Sequence, residues 1–87
     1  MNINKIESRV NGKYTYTLTH TKVSTEDIGW QDVYGIGISD KHTNIHENDI
    51  SNDYKGVYSL YELIVEEKLC PEHLYDVIED FLSENKC

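Results

Sequence analysis

The alternation of two kinds of side chain over residues 14–21 constrains the fold of this chain more than any other feature. Every second residue is tyrosine, leucine or histidine, and all the residues between them are threonine. A two-residue repeat of aromatic and β-branched side chains is typical of a β-strand with one face on a core. The stretch therefore predicts a strand with one apolar face and one threonine-lined face.

The repeat lengthens to three or four residues after Asp53, which indicates helices in the last third of the chain. Asp53 is one candidate N-cap for the first helix, but residues 59–62 fit a capping box and leave a later start open. Pro71 stands at the first position of the second helix. The predicted elements are strands at about residues 3–10, 13–23, 32–39 and 44–50, and helices at about 54–69 and 71–84.

These elements predict a single small α+β domain, residues 1–87, of order ββββαα, with a mostly antiparallel sheet and both helices packed on one face. A chain of this size buries only about 60 to 65% of its unfolded surface, so it cannot form two cores. No apolar run approaches the roughly 20 residues of a membrane span, and the first residues show neither a basic leader nor an apolar signal core. We therefore expect a cytoplasmic protein that does not bind membranes.

The register of the first hairpin follows from the side chains that are expected to face the core. A two-residue turn at residues 11–12 would place the apolar residues of the two strands on opposite faces. We therefore predict a three-residue turn, residues 10–12, in which Ile6 opposes Tyr16 and Ser8 opposes Tyr14. In this register the outer face collects Lys5, Glu7, Arg9, Lys13 and the threonines.

The third and fourth predicted strands each carry an irregularity. Gly35 and Gly37 fall on the face opposite to the apolar residues of their strand, and they open room there for a neighbouring side chain or backbone. Ile45 and Ile50 have opposite parity, which predicts a bulge or turn near residues 48–49.

The net charge of −8 is unevenly distributed along the 87 residues. Residues 1–23 hold four basic residues and one acidic residue, whereas residues 24–87 hold four lysines and fifteen carboxylates. Such a chain repels DNA, because nucleic-acid affinity comes largely from lysine and arginine contacts with phosphates. We expect no direct nucleic-acid binding, and we expect the acidic part to bind a partner protein with a basic surface.

Four carboxylates, Glu72, Asp76, Asp80 and Glu84, follow one another at four-residue spacing in the last predicted helix. Their helical angles lie away from the apolar stripe, so we expect them to face solvent, where each neighbouring pair costs only about 0.2 to 0.5 kcal/mol. Solubility explains such a face, and a docking site is the functional alternative. Leu63 falls outside the stripe of the first helix, and is either covered by the second helix or exposed as an anchor for a partner.

Three stretches resemble an uncharacterised family of small proteins from low-GC Gram-positive bacteria and their mobile elements. They are Val33-Tyr-Gly-Ile36, Asp49-Ile-Ser51 and the closing Cys-Pro-Glu-His-Leu-Tyr-Asp-Val-Ile-Glu-Asp-Phe-Leu at 70–82. The resemblance covers about residues 31–83 and depends mainly on the last helix. It implies a fold, but it implies no activity and no catalytic residue.

No motif predicts catalysis, a metal or a cofactor. Gly35-Ile-Gly37 lacks the third glycine and the following helix of a dinucleotide fingerprint. His42 and His46 have the spacing of a helical metal pair but fall in a predicted loop or strand, where such residues do not converge. His73 beside carboxylates is a common surface arrangement. We therefore predict that the protein is not an enzyme.

The two cysteines are expected to stay unpaired. A helix over residues 71–84 would place Cys70 and Cys87 at opposite ends of a rod about 21 Å long. A disulfide needs Cα atoms within about 7 Å. The sequence thus fits a reducing compartment.

Two function classes fit these observations. The first is an interaction or regulatory module that docks the carboxylates of residues 72–84, with Leu63, on a basic surface of a partner, and that forms a homodimer through a sheet edge or Leu63. The second is a phage-type counter-defence protein that inhibits a host factor or sequesters a small nucleotide. Its ligand would contact Lys5, Arg9, Thr15 and Thr17 through anionic groups and stack on Trp30.

Overall fold

A computed structural model of the chain describes residues 3–27 and 29–84. Its strands are β1 (Ile3–Asn11), β2 (Tyr14–Thr25), β3 (Gly29–Ser39) and β4 (Asn44–Ser51), and its helices are α1 (Tyr54–Glu66) and α2 (Leu74–Glu84). A short 3-10 turn at Pro71–His73 precedes α2. Each strand pairs antiparallel with the next, in the order β1-β2-β3-β4. The predicted ββββαα order and the antiparallel sheet are confirmed.

The core lies between the two helices and one face of the sheet. Helix α1 packs against β1, β2 and β3, and α2 packs against β4. Burying one large aliphatic side chain contributes about 1.5 to 3 kcal/mol, so this layer supplies most of the stability. Its fully buried side chains are Tyr16, Leu18, Ile36, Ile38, Val57, Tyr61, Ile64 and Leu74.

The opposite face of the sheet carries the threonines of β2, as the alternation predicts. We call it the threonine face and define it by Thr15, Thr17, Thr19 and Thr21 together with the residues that strand pairing places beside them. These neighbours include Ile3, Lys5, Ser8 and Val10 of β1, Val33, Gly35, Gly37 and Ser39 of β3, and Asn44 and His46 of β4. No described helix covers this face.

The first hairpin differs from its predicted register. Asn11 pairs with Tyr14, so the turn consists of two residues, Gly12 and Lys13, and the predicted turn at residues 10–12 is wrong. Gly12 has φ +69°, and a positive φ at the first turn position is what a type II′ turn requires. Arg9, rather than Ile6, therefore opposes Tyr16.

A bulge in β1 reconciles this register with the rest of the strand. Lys5 pairs with Thr19 and Glu7 pairs with Leu18, so Ile6 is an extra residue on β1. Glu7 lies on the helix side of the sheet, as Arg9 does, and their predicted place on the outer face is wrong. The prediction assumed that the apolar side chains of an edge strand turn toward the core.

The helix side of β1 is polar because α1 offers polar partners there. The Arg9 side chain is ion-paired with Glu7, donates a hydrogen bond to the Tyr58 hydroxyl at 3.0 Å, and lies 5.5 Å from the centre of the Tyr61 ring. Val10 is left on the threonine face, where 72% of its surface is exposed. These contacts, rather than apolar burial, select the register.

The predicted irregularity in β4 is confirmed. Tyr34 pairs with Ser51 and Ile36 pairs with Glu47, so three residues of β4 lie opposite Gly35 alone. A Cβ atom at Gly35 would lie 2.3 Å from the Glu47 carbonyl oxygen and 2.5 Å from the Cα of Asn48. Only glycine lets the bulge fold against β3 at this position.

Helix α1 begins where the first of the two predicted starts places it, with Asp53 at the N-cap, and it ends three residues before the predicted Leu69. Lys68 has φ +52°, its N–H donates to Val65 O, and the next N–H, of Leu69, donates to Ile64 O. These bonds form a Schellman motif. Because a lysine occupies the position that usually holds glycine, the sequence shows no stop signal there.

Side chains of the first hairpin hold the corner between the two helices. The acceptors lie 53 to 56 residues further along the chain. The bonds join Asn11 Nδ2 to Val65 O (2.7 Å), Tyr16 Oη to Leu69 O (3.0 Å) and Tyr14 Oη to Cys70 Sγ (3.6 Å). The bond to the Cys70 sulfur, with some burial, raises the pKa of Tyr14 to about 12.

Two expectations concern the cysteine pairing and the absence of a membrane-spanning segment. Cys87 lies outside the described residues, so the expectation that it does not pair with Cys70 stays a prediction. Within the described part of the chain, neither helix combines the length and the apolar character needed to cross a membrane.

Candidate functional site

A groove of about 490 Å³ separates α1 from α2 and opens to solvent. It exists because each helix packs mainly on the sheet: α1 lies over β1–β3 and α2 lies beside β4. Its lining consists of Gly56, Ser59, Leu60 and Leu63 from α1, and Val77, Asp80 and Phe81 from α2. We call this site the interhelical groove.

The lining residues recur every three or four positions, so each helix presents one row of side chains to the groove. Leu60 is buried and both Val77 and Phe81 are partly buried, which gives the groove an apolar floor. Leu63 stands at the opening with 50% of its surface exposed. Of the two predictions for Leu63, the exposed position is therefore the one observed.

Gly56 determines how closely the two rows approach. A Cβ atom there would lie 3.2 Å from the end of the Phe81 ring and 2.6 Å from a carboxylate oxygen of Asp53. A glycine inside a helix costs about 0.5 to 1 kcal/mol relative to alanine. The position is consistent with a need for space between α1 and the Phe81 ring.

Tyr61 fixes α1 on the sheet beneath the groove. Its side chain is fully buried, and its hydroxyl donates a 2.8 Å hydrogen bond to the Tyr16 carbonyl of β2. Burial is the largest cause that raises the pKa of Tyr61 to about 12. The neutral phenol is thus the form that supports this contact.

The groove has an acidic border. Residues 54–84 hold two lysines and eight carboxylates, a net charge of −6. Asp80 lines the groove, Asp76 lies one turn before it with 80% of its side chain exposed, and exposed Glu66 continues the row of Leu63. We call these three residues the acidic rim.

The structure divides the predicted partner-binding residues into two groups. Leu63 and Asp80 both line the groove, and Asp76 lies one turn before Asp80 on α2 without lining it. Glu72 is exposed in the Pro71–His73 turn and does not line the groove. The side chain of Glu84 lies outside the described residues.

Sequence reasoning missed the groove floor. The helical repeat assigned Val77 and Phe81 to the apolar stripe of α2, and a repeat does not report how far apart two helices lie. Gly56, in the first turn of α1, is the one residue of the lining that signals a close approach at this position.

The residues of the nucleotide alternative do not converge. Arg9 lies on the helix side of the sheet, whereas Lys5, Thr15 and Thr17 lie on the threonine face. Trp30 pairs with Ser24 near one end of β3, and 73% of its surface is exposed. No single ligand contacts both faces of the sheet.

Two of the four histidines each lie beside one carboxylate. His20 Nε2 lies 2.8 Å from Asp32 Oδ1, and His73 Nδ1 lies 4.0 Å from Asp76 Oδ2 at an exposed position where ion pairs contribute about 0 to 1 kcal/mol. Across residues 3–27 and 29–84, no three His, Cys, Asp or Glu side chains are placed to hold a metal ion.

One of the three comparisons with known proteins gives a match. The model of a family of unknown function (DUF6514) matches residues 1–84. This match includes the first hairpin, which lies outside the resemblance at residues 31–83. No curated protein and no solved structure matches the chain.

Proposed function

This chain belongs to the DUF6514 family of unknown function, and we propose that it is a non-enzymatic interaction module. Its interhelical groove binds a basic, amphipathic segment of a partner protein. One observation carries the proposal: an apolar floor, a half-exposed leucine and the Asp80 carboxylate occur together at a single opening, and the other two residues of the acidic rim lie one turn away along their helices.

The apolar part of the groove supplies the affinity. A leucine that becomes fully buried contributes about 1.5 to 3 kcal/mol, and Leu63 has half of its surface left to bury. A partner helix with apolar residues at positions i, i+3 or i+4, and i+7 matches a groove of this kind. Two or three such anchors give a dissociation constant on the order of 1 µM, about −8 kcal/mol.

The charged part selects the partner. Exposed ion pairs contribute about 0 to 1 kcal/mol each, so the acidic rim adds less affinity than the apolar anchors do. Complementary charge chiefly accelerates association and excludes acidic partners. With Asp80 in the lining and exposed Asp76 and Glu66 one turn away, the preferred segment carries lysine or arginine beside its apolar anchors.

A synthetic peptide of about 18 residues, with leucines at helical spacing and lysines elsewhere, tests this proposal. Its binding is measured by fluorescence anisotropy, and a peptide of the same composition in scrambled order is the control. Leu63→Asp should weaken binding of the patterned peptide at least tenfold, about 1.4 kcal/mol. Asp76→Lys with Asp80→Lys should weaken it similarly at low salt.

A matched variant separates the groove from general charge attraction. Glu26→Lys with Asp27→Lys changes the net charge by the same amount at exposed residues after β2. This variant should bind the patterned peptide within about twofold of the parent chain. Equal losses in both charge-reversal variants, or unchanged binding by Leu63→Asp, would refute the proposal.

The remaining expectations belong to the same proposal and are supported by the sequence alone. They are a cytoplasmic location, an origin in low-GC Gram-positive bacteria or their mobile elements, and the closing helix motif as a mark of the family. The division of Lys5 and Arg9 between the two faces of the sheet gives no support to a nucleotide site.

A further inference from the structure

One end of the sheet, beyond the start of α1, holds a recess of about 460 Å³. Helix α1 begins at Tyr54, whose ring contacts that of Tyr34, and it runs toward the first hairpin, where the Val65 carbonyl accepts a hydrogen bond from Asn11. The helix side of the sheet beyond Tyr34 is therefore open to solvent. We call this site the aromatic recess, and its lining consists of Asn4, Ile6, His20, Asp32, Tyr34 and Tyr54.

Aromatic rings line this recess and continue past it. The ring centres of His20 and Tyr34 are 5.3 Å apart, and those of Tyr34 and Tyr54 are 5.1 Å apart. Trp30 falls on the same face of β3 as Asp32 and Tyr34, because the pairing with β2 is regular over this stretch. Tyr54 and Trp30 keep 41% and 73% of their surfaces exposed. Accessible rings thus extend from Trp30 to Tyr54.

Three polar side chains of the recess have no hydrogen-bond partner among the described residues. They are the phenols of Tyr34 and Tyr54 and the amide of Asn4. Each of them can donate a hydrogen bond to a carbonyl oxygen of a ligand. Ile6, with 43% of its surface exposed, adds an apolar wall beside these donors.

Asp32 gives the recess a negative charge. Its side chain is 54% exposed, and its Oδ1 atom lies 2.8 Å from His20 Nε2, so Oδ2 is left for a ligand. Lys22 pairs with Asp32 across the two strands, but it forms no ion pair with it. A guanidinium group that reaches the recess therefore finds a carboxylate oxygen to bind.

We propose that the aromatic recess, extended by Trp30, binds a proline-rich segment of a partner protein, with an arginine of that segment on Asp32. Proline-rich segments in the polyproline II conformation bind grooves lined by aromatic side chains, and their carbonyls have no internal hydrogen bonds. Trp30 and Tyr34 are four residues apart on one strand, roughly 13 Å. A segment of about seven residues, at about 3.1 Å per residue, spans the rings from Trp30 to Tyr54.

The chemistry of the recess favours this occupant over a helix or a nucleotide. A helix satisfies its own carbonyls, so it would leave the phenols of Tyr34 and Tyr54 without acceptors. A nucleotide brings phosphates, and no lysine or arginine of the described chain lines the recess. A proline-rich segment supplies both the apolar rings and the free carbonyls that the recess can bind.

The fluorescence of Trp30 measures this binding directly, because it is the only tryptophan of the chain. The probe is a synthetic peptide of about ten residues, with one arginine and with proline at two of every three positions. We expect a saturable change in the full chain, with a dissociation constant on the order of 100 µM. A peptide with alanine in place of each proline should bind at least about tenfold more weakly, because it is no longer preorganised.

Variants of the full chain locate the site by the anisotropy of the labelled peptide. Tyr54→Ala should weaken binding at least about tenfold, whereas Tyr75→Ala, at an exposed tyrosine of α2 outside the recess, should change it less than about twofold. Asp32→Asn should weaken binding only of the peptide that contains arginine. Leu63→Asp should leave binding within about twofold, so failure of this proposal and failure of the interhelical groove are distinct results.

Several results would overturn the proposal. They are Trp30 fluorescence that the peptide leaves unchanged up to about 5 mM, equal losses in the Tyr54 and Tyr75 variants, or equal affinity for the proline and alanine peptides. Tighter binding of adenosine than of the peptide would also overturn it, because the recess would then be a site for a small planar ligand. Circular dichroism establishes that each variant is folded. If Tyr54→Ala does not fold, Trp30→Ala replaces it, because Trp30 is 73% exposed, and unchanged peptide affinity in that variant contradicts the site.

Discussion

The interhelical groove and the threonine face lie on opposite sides of the sheet, and they differ in charge and in how far they are open to solvent. The groove is concave, apolar at its floor and acidic at its rim. The threonine face has no carboxylate among its strand-paired residues, and it is only partly open, because Thr19, Thr21 and Val33 are buried and the β4 bulge lies over Gly35. The comparison teaches that the acidic charge gathers on the helical side, whereas close packing closes part of the other side.

Gly35→Ala would have the largest effect, because it breaks the sheet that supports both surfaces. The new methyl group would lie 2.3 Å from the Glu47 carbonyl oxygen, and backbone cannot move aside as a flexible side chain can. We expect the free energy of unfolding to fall by about 3 kcal/mol or more. Urea unfolding followed by circular dichroism measures the loss.

Gly37→Ala is the matched control on the same strand and face. Its methyl group would meet the Cβ of His46 at 3.2 Å, a contact that a small shift of the side chain relieves. We expect a loss of about 1 kcal/mol or less. Equal losses at the two glycines would show that the β4 bulge does not press on Gly35.

Alkaline pH should release α1, and with it the groove. Tyr61 ionises with a pKa of about 12 in the folded chain and near 10 when unfolded. A raised folded pKa means that this contribution to stability is complete below pH 10 and is lost as the pH rises toward 12, by up to about 2 to 3 kcal/mol. Urea unfolding at intervals across that range measures the slope.

Tyr61→Phe isolates the contribution of this phenol. The variant loses its hydrogen bond to the Tyr16 carbonyl, so it should be less stable at neutral pH by about 1 kcal/mol. Its stability should then decline less between pH 10 and pH 12 than that of the parent chain. Identical slopes would mean that other tyrosines, such as Tyr14, account for the alkaline loss.

Two variants, one on each side of the sheet, should have effects of intermediate size and sharpen the comparison. Leu63→Asp should reduce binding of the patterned basic peptide about tenfold, whereas Thr17→Glu, on the opposite face of the sheet, should change it less than twofold. Sites that lie on opposite faces and share no partner are expected to act independently. Fluorescence anisotropy on both variants, and on the double variant, provides the measurement.

The double variant supplies the contrary outcome. If the double variant binds the peptide much more weakly than Leu63→Asp alone, then the groove and the threonine face are coupled through the sheet, and the view of two independent surfaces is wrong. Ser83→Glu, made in place of either substitution, controls for the negative charge that the substitution adds.

The smallest effect should be a gain in stability. The Thr21 and Thr19 hydroxyl oxygens are buried and have no hydrogen-bond partner among the described residues. Valine has nearly the same shape as threonine, so Thr21→Val removes an unsatisfied group without leaving a cavity. We expect about 1 kcal/mol of stabilisation by thermal or urea unfolding, and none for the half-buried Thr15→Val.

Sequence patterns predicted elements well where the pattern and the burial agree. The threonine alternation of β2 and the helical repeat after Asp53 each indicate a side that faces the core. Both β2 and α1 are present as predicted. The bulge near residues 48–49 was visible because Ile45 and Ile50 have opposite parity. In each case the apolar side chains themselves carry the information.

Prediction failed where polar contacts or an unusual backbone decide. The register of β1 depends on the contacts of Arg9 with the tyrosines of α1. The prediction assumed an apolar helix side for β1, and that assumption excludes an arginine there. Helix α1 ends at a lysine with positive φ, so no glycine marks the stop. The groove floor depends on the distance between two helices, and no single-chain repeat encodes that distance.

The bonds from the first hairpin to the helix corner have a consequence for the order of synthesis. Asn11 and Tyr16 are made early, but their acceptors at Val65 and Leu69 follow more than fifty residues later. A growing chain therefore cannot hold the corner between α1 and α2 in this way until Val65 and Leu69 have been made, and closing contacts of such long sequence separation slows folding. The groove between the helices thus depends on the hairpin that is made first.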